Sequence, residues 1–232
     1  LDVLAAAILV NYFGVVDKVD DMALRPVLLR KGDVRVALYG LGHVREERLN
    51  RAWNDKKLKF VSPAHDAESF FHILVLHQNR ALGRGLKSHV SEEMIPKWFD
   101  LVIWGHEHEC KIELQPSLVG TFRIVQPGST VATSLVEGES ARKHVGVLKL
   151  RRANNDYEML LKPIPLTMVR PFVVDDVALA ETEELRDPRE GDVEKFLAAR
   201  VDALVEQAVK NAATPRFSNQ TFQLKNPNQV LV

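Results

Sequence analysis

The sequence holds a single cysteine, Cys110, in 232 residues. An internal disulfide is excluded, and with it any fold stapled by cross-links; the composition suits a reducing compartment. Net charge is also lacking, since 31 Lys and Arg stand against 31 Asp and Glu. Composition therefore gives no support for a nucleic-acid partner, although a zero sum leaves room for a basic patch on one face. No apolar run approaches the roughly 20 residues that cross a bilayer, and no signal-peptide pattern opens the chain, so no membrane partner is expected. The chain starts Leu1-Asp2-Val3 without an initiator methionine, and it stops at "NQVLV" just as a β-branched pattern begins. Both ends read as cut from a longer protein. A hydrophobic fraction of 46% is that of an ordinary folded protein, and the length allows one domain and part of a second.

What is present is a series of short apolar runs bounded by Gly, Pro and charge: 34–41, 71–78, 101–106, 121–128 and 144–152. Continuous apolar runs of this length suit strands covered on both faces, which predicts an α/β fold. Residues 157–164 and 172–179 continue the strand pattern. Helices are expected at 1–13, 45–53 and 91–99, the last shortened by Pro96. The chain changes character near Pro165–Pro171, and residues 181–195 are densely charged. A helix then follows, with Asp192 as the expected N-cap. Its apolar stripe is Leu197, Val201, Leu204 and Ala208. Such a stripe mainly reports burial, so a helix docked on its own protein is favoured over one that meets a partner. The polar tail 211–229 reads as a loop or linker.

Histidine carries the chemistry. His77 closes the apolar run 71–78, at the strand end where α/β sheets place ligands. His72 lies inside that run, on the opposite face, and reads as a packed core histidine. The stretch "LVIWGHEHEC" puts His106 and His108 directly after a strand and a glycine. In an extended chain these two project to one side, roughly 6.6 Å apart, and Glu107 to the other. That spacing suits one shared metal ion or two adjacent ones, and Gly105 is expected to let the backbone turn. A lone histidine is commonly structural; three at the ends of two strands form a more specific set. Cys110 continues the alternation, so a closed His₃Cys zinc site is an alternative, though a buried inert thiol fits its apolar surroundings better. His43, in the loop after "YGLG", is a weaker candidate for facing a substrate. His65, His89 and His144 show no partner pattern; the polar settings of His65 and His89 suggest solvated side chains.

Four blocks together, "VLHQNR" (75–80), "DLVIWGHEHECKI" (100–112), "QPGSTVATSL" (126–135) and "KHVGVL" (143–148), resemble the calcineurin-like metallophosphoesterases. More narrowly they resemble the eukaryotic meiotic-recombination-eleven nucleases of double-strand-break repair, relatives of bacterial SbcD. "NYFG", "PVLLRKG", "ALYGLGHVREERL" and "VRPF" match the same family. The resemblance covers about residues 1–180 and thins out beyond.

It implies an α/β fold: a two-sheet metallophosphoesterase sandwich flanked by helices, incomplete here, over 1–168. The start of a small α+β capping domain that helps orient DNA would follow over 169–232. It further implies two Mn²⁺ ions, with His77 and His106 on one and His108 on the other. The expected chemistry is phosphodiester hydrolysis, as 3′-to-5′ exonuclease and single-strand endonuclease, in the nucleus. The expected partners are DNA, a second copy through the helix at 1–13, a Rad-fifty-type ATPase and a Nijmegen-breakage-syndrome-type subunit.

The family's earlier blocks do not occur in this sequence: an Asp-x-His pair, a bridging Asp, and a Gly-Asn-His-Asp motif with the catalytic His. No residue here is therefore assigned a catalytic role, and the chain by itself is expected to be inactive. Two other readings stay open: a metallophosphoesterase for a small phosphodiester or phosphoprotein, and a non-catalytic assembly fragment.

Overall fold

The computed structural model describes residues 2–16, 22–80, 88–154, 156–187, 189–213 and 222–224. In chain order the elements are α1 (Asp2–Ala6), β1 (Met22–Leu24), β2 (Val27–Lys31), β3 (Val34–Leu41), α2 (Glu46–Asn54), β4 (Leu58–Phe60), β5 (Phe71–His77), β6 (Leu101–Gly105), β7 (Lys111–Pro116), β8 (Arg123–Gln126), α3 (Glu137–Ser140), β9 (His144–Ala153), β10 (Asp156–Pro165), α4 (Asp192–Ala213) and β11 (Phe222–Leu224).

Six strands form one sheet in the order β2-β3-β5-β6-β8-β7. The inner four run parallel, while β2 and β7 are antiparallel to their neighbours. The continuous apolar runs follow from coverage on both faces. Along β5, Leu74 and Leu76 enter a core with Ala37, Tyr39, Val102, Trp104 and Ile124, closed by Leu49 and Ala52 of α2. Phe71 and Ile73 point the other way, with Leu101 and Val125, and meet Met159 and Leu161 of β10. Alternation along each strand thus feeds two cores from one sheet. The second core lies between this sheet and a three-stranded one, β11-β10-β9, giving the two-sheet sandwich that the resemblance implies.

Tyr157 of β10 locks the layers together. Its hydroxyl accepts from the Arg35 amide at 3.0 Å and donates to the Ser69 carbonyl at 2.9 Å.

Several expectations need correction. The helix expected at 1–13 ends at Ala6, and Ile8 lies at φ 58°. The one at 91–99 is a single 3₁₀ turn over Glu92–Met94, because Pro96 has no amide to continue it. Residues 172–179 have strand composition but pair with no strand among the described residues, and remain irregular up to a 3₁₀ turn at Leu179–Glu181. Asp192 is the first helical residue rather than the cap: the Gly191 carbonyl accepts the first helical bond, from Lys195, and the Asp192 carboxylate accepts backward from the Arg189 amide. On α4, Leu197 and Val201 are exposed, in line with Val205 and Val209, while Leu204 and Ala208 are half-buried. The stripe is thus covered only in part: Leu204 and Ala208 are sheltered and Leu197 and Val201 are not. The tail is not all loop either, since Phe222–Leu224 pairs with β10. The "NQVLV" end lies outside the described residues.

Asp100 precedes β6, and its carboxylate accepts from the His72 amide at 2.7 Å. Burial outweighs that bond and pushes the carboxyl up to about 6, with Asp156 adding to the rise. A raised carboxyl favours folding while protonated, and that contribution is lost as pH climbs from about 4 through 6. Asp100→Asn keeps an acceptor for His72. It is expected to raise stability by about 1–3 kcal/mol at pH 7.5 and to change little at pH 4, as read by urea denaturation at the two pH values.

Candidate metal centre

Three parallel strands, β3, β5 and β6, deliver imidazoles to one end of the sheet. His77 is the last residue of β5, and His106 follows β6 directly. Because these strands are adjacent and His77 pairs with Gly105, the two rings meet. His106 Nδ1 lies 3.3 Å from His77 Nε2, with the ring planes at 80°. Two nitrogens bound to one metal at ~2.0–2.1 Å in a tetrahedral shell sit about 3.3 Å apart. The pair therefore has the separation of two ligands on one ion.

The expected extended path through 106–108 is not what forms. His106 adopts φ 79°, a left-handed conformation that costs a non-glycine residue about 1 kcal/mol or more. It is His106, not Gly105, that makes the turn. Gly105 serves a different need, because a Cβ there would lie 3.1 Å from the Leu76 carbonyl oxygen and 3.2 Å from His77 Nδ1. The turn sends the two imidazoles apart. His106 faces His77, while His108 meets Thr133 and Glu139.

Glu107, which the alternation sets on the far side, is buried and accepts from the Arg80 amide at 2.7 Å. The Arg80 guanidinium lies over the Trp104 ring and donates to Gln126. The Trp104 indole in turn donates to the Gln78 carbonyl. These ties fix the ends of β5 and β6 relative to each other, each at about 1 kcal/mol.

His108 belongs to a second cluster. Its Nδ1 is 2.6 Å from Thr133 Oγ1 and 3.2 Å from Glu139 Oε1. Glu139 is 3% exposed. Burial alone would push its carboxyl up; donation from the Thr133 amide, the Ser134 and Thr133 hydroxyls and His108 outweighs it and holds the group well below the usual carboxylate range. Lys143, also buried, lies 3.6 Å from Glu139 and donates to the His108 carbonyl at 2.8 Å. Gly128 is locked against the same carbonyl: with φ 74°, a Cβ there would stand 2.7 Å from the His108 oxygen.

His77 titrates below its ordinary value, chiefly through burial and then through the neighbouring His106, His43 and His108. A neutral imidazole is the form that binds metal. The pair therefore offers two nitrogen donors to a divalent ion; imidazole alone favours zinc, copper, iron or nickel, and a manganese ion would need oxygen ligands in addition. Among the described residues, no group of three or more His, Cys, Asp or Glu converges on a single point.

The weaker candidate His43 proves to be part of the cluster. Its ring stacks on His106 at 5.8 Å and 15° and stands edge-on to His77 at 6.4 Å. A position two residues past the end of β3 is the signal that could have found it. Thr133 and Lys143 fall in the blocks "QPGSTVATSL" and "KHVGVL" that carry the resemblance, but no local pattern shows that they meet His108, and Glu139 lies in neither block. Cys110 does not join the histidine pair. It packs in the second core with Sγ 3.6 Å from His144 Nδ1, and burial pushes its thiol up, as an inert cysteine requires. His72 is buried as expected, its Nε2 3.0 Å from the Ala67 carbonyl. His65 is exposed, but His89 is half-buried, with its carbonyl accepting from Asn50.

The sequence has well-matched relatives. It is 41% identical over 212 residues to the double-strand break repair protein mus-23 of Neurospora crassa, which spans 90% of this chain and 28% of that protein. It is 39% identical over 219 residues to the human double-strand break repair protein MRE11, spanning 94% of this chain and 30% of that protein. The Macaca fascicularis MRE11 protein matches over all 232 residues at 38% identity. This chain belongs to the MRE11 family. A family model described as the Mre11 DNA-binding presumed domain matches residues 159–232, starting inside β10. The chain spans about three-tenths of the length of these MRE11 relatives. No described helix is long and apolar enough to cross a membrane.

Gly105→Ala forces a Cβ against the Leu76 carbonyl and the His77 ring. It is expected to cost about 1–3 kcal/mol in urea denaturation, as overpacking does. It is also expected to separate His77 from His106, seen as altered side-chain ¹⁵N shifts of both histidines.

Proposed function

We propose that this chain supplies one face of the metal centre of a Mn²⁺-dependent DNA nuclease acting in double-strand break repair. The observation that carries the reading is the facing nitrogen pair of His77 and His106 at the C-terminal ends of adjacent parallel strands. His77 and His106 would hold one ion and His108 the other. When bound, such ions neutralise an anionic phosphodiester and lower the pKa of coordinated water.

The chain's own residues do the holding and orienting. The strand ends fix His77 and His106 against each other, and His43 stacks on His106 at the same rim. No bridging carboxylate reaches the pair among the described residues, and two like-charged ions need one to stay close together. The chain therefore contributes part of a ligand set and does not cleave DNA unaided.

The repair role and the DNA partner are supported by the relatives and the matched model, and a nuclear location is part of the same proposal. Relatives bear the name double-strand break repair protein, and the matched model describes DNA binding. In this reading residues 1–168 belong to the nuclease domain and 169–232 open a DNA-binding cap. Homodimerisation through α1 and association with a Rad-fifty-type ATPase and a Nijmegen-breakage-syndrome-type subunit belong to the same proposal.

Calorimetric titration of Mn²⁺ into the chain tests it. Weak binding is expected, reduced at least tenfold by His77→Ala or His106→Ala. No Mn²⁺-dependent cleavage of single-stranded DNA is expected above that of the His77→Ala variant. Robust cleavage that His77→Ala abolishes would contradict the partial ligand set.

A further inference from the structure

We infer that Thr133 and Glu139 are positioning residues that fix the tautomer of His108, leaving its Nε2 lone pair as the only nitrogen available to a metal ion. The inference rests on the ligand role proposed for His108.

The available protons decide the tautomer. Glu139 is ringed by donors: its Oε1 accepts from the Thr133 hydroxyl at 2.9 Å, the Ser134 amide at 3.0 Å and the Ser134 hydroxyl at 2.8 Å. Its Oε2 accepts from the Thr133 amide at 2.8 Å and faces the Lys143 ammonium. A carboxylate so surrounded acts only as an acceptor. The Thr133 hydroxyl has one proton, and donation to Glu139 uses it. Its oxygen, 2.6 Å from His108 Nδ1, must then accept. Glu139 Oε1, 3.2 Å from the same nitrogen, also can only accept. Both partners of Nδ1 require a proton there. A neutral imidazole carries one N–H, so Nε2 keeps its lone pair. Donation of the second ring N–H to a carboxylate or its relay is how ligating histidines are oriented, and its loss commonly costs 10–100-fold in metal affinity.

The loop is built to hold this arrangement. Glu139 and Lys143 are both buried, and Lys143 also grips the His108 carbonyl and the Ser129 hydroxyl. The backbone and the imidazole of His108 are thus held by one ion pair from opposite ends. Thr133, by contrast, is exposed; removing its hydroxyl takes one donor from Glu139 and leaves the Thr133 and Ser134 amides, the Ser134 hydroxyl and Lys143 in place.

Long-range ¹H–¹⁵N spectra of the metal-free chain at pH 8 read the tautomer directly. His108 is expected in the Nδ1–H form. Thr133→Val is expected to shift it toward a mixture, Thr133→Ser to restore it, and Glu139→Gln to shift it further. On a His108→Ala background, Glu139→Gln is expected to leave Mn²⁺ affinity unchanged, whereas in the wild-type chain it lowers affinity at least tenfold. A purely structural role would lower affinity on both backgrounds. A wild-type His108 in the Nε2–H form, or a tautomer that Thr133→Val does not move, overturns the inference. A chain with the expected tautomer that binds no Mn²⁺ contradicts the nuclease reading and leaves this positioning intact.

Discussion

Everything at this site depends on how closely β5 and β6 approach at their C-terminal ends. A Cβ at Gly105 would crowd the Leu76 carbonyl at 3.1 Å and the His77 ring at 3.2 Å, so glycine there lets the His77 ring sit close against the end of β6. That proximity places His106 against His77, and the left-handed turn at His106 then releases the next residues to a different neighbourhood. One sharp turn divides the two histidines of "GHEH" between two clusters. Strain of that kind persists only where surrounding contacts over-determine it. Here they are the Glu107 bond to the Arg80 amide and the stack of Arg80, Trp104 and Gln78 behind it.

The two clusters are built on different principles. The His77–His106–His43 group is a meeting of strand ends, half open to solvent, with no cluster of three or more ligating side chains that includes a carboxylate among the described residues. The His108 group is organised around a buried carboxylate and a buried ammonium. Breaking such a pair leaves an uncompensated charge, which is strongly destabilising. The first cluster is thus adaptable in its ligands and the second rigid in its orientation. That division suits a site in which separate groups of residues each secure one ion.

Much of the sandwich was legible: β3, β5 and β6 are short apolar runs bounded by Gly, Pro and charge, while β9 and β10 show a looser alternation, and all five fall where their residue pattern places them. The ends of the chain were not, because composition cannot say whether a β-branched run such as 172–179 finds a strand to pair with. Of the site, His77 was legible from its place at a strand end. The parting of His106 and His108 was hidden, because alternation assumes a straight chain and His106 turns left-handed instead. Glu139 was hidden for a deeper reason: its role comes from burial among Thr133, Ser134 and Lys143, which only tertiary structure creates.

The claim that imidazoles from two neighbouring strands hold one ion is tested most directly by hyperfine spectroscopy of Mn²⁺ bound to chain labelled with ¹⁵N-histidine. Couplings from two histidine nitrogens at one ion are expected, with one lost in each of His77→Ala and His106→Ala. Tight stoichiometric zinc that is lost in Cys110→Ser, with no such coupling pattern for Mn²⁺, would instead mean a closed structural site and would contradict the account.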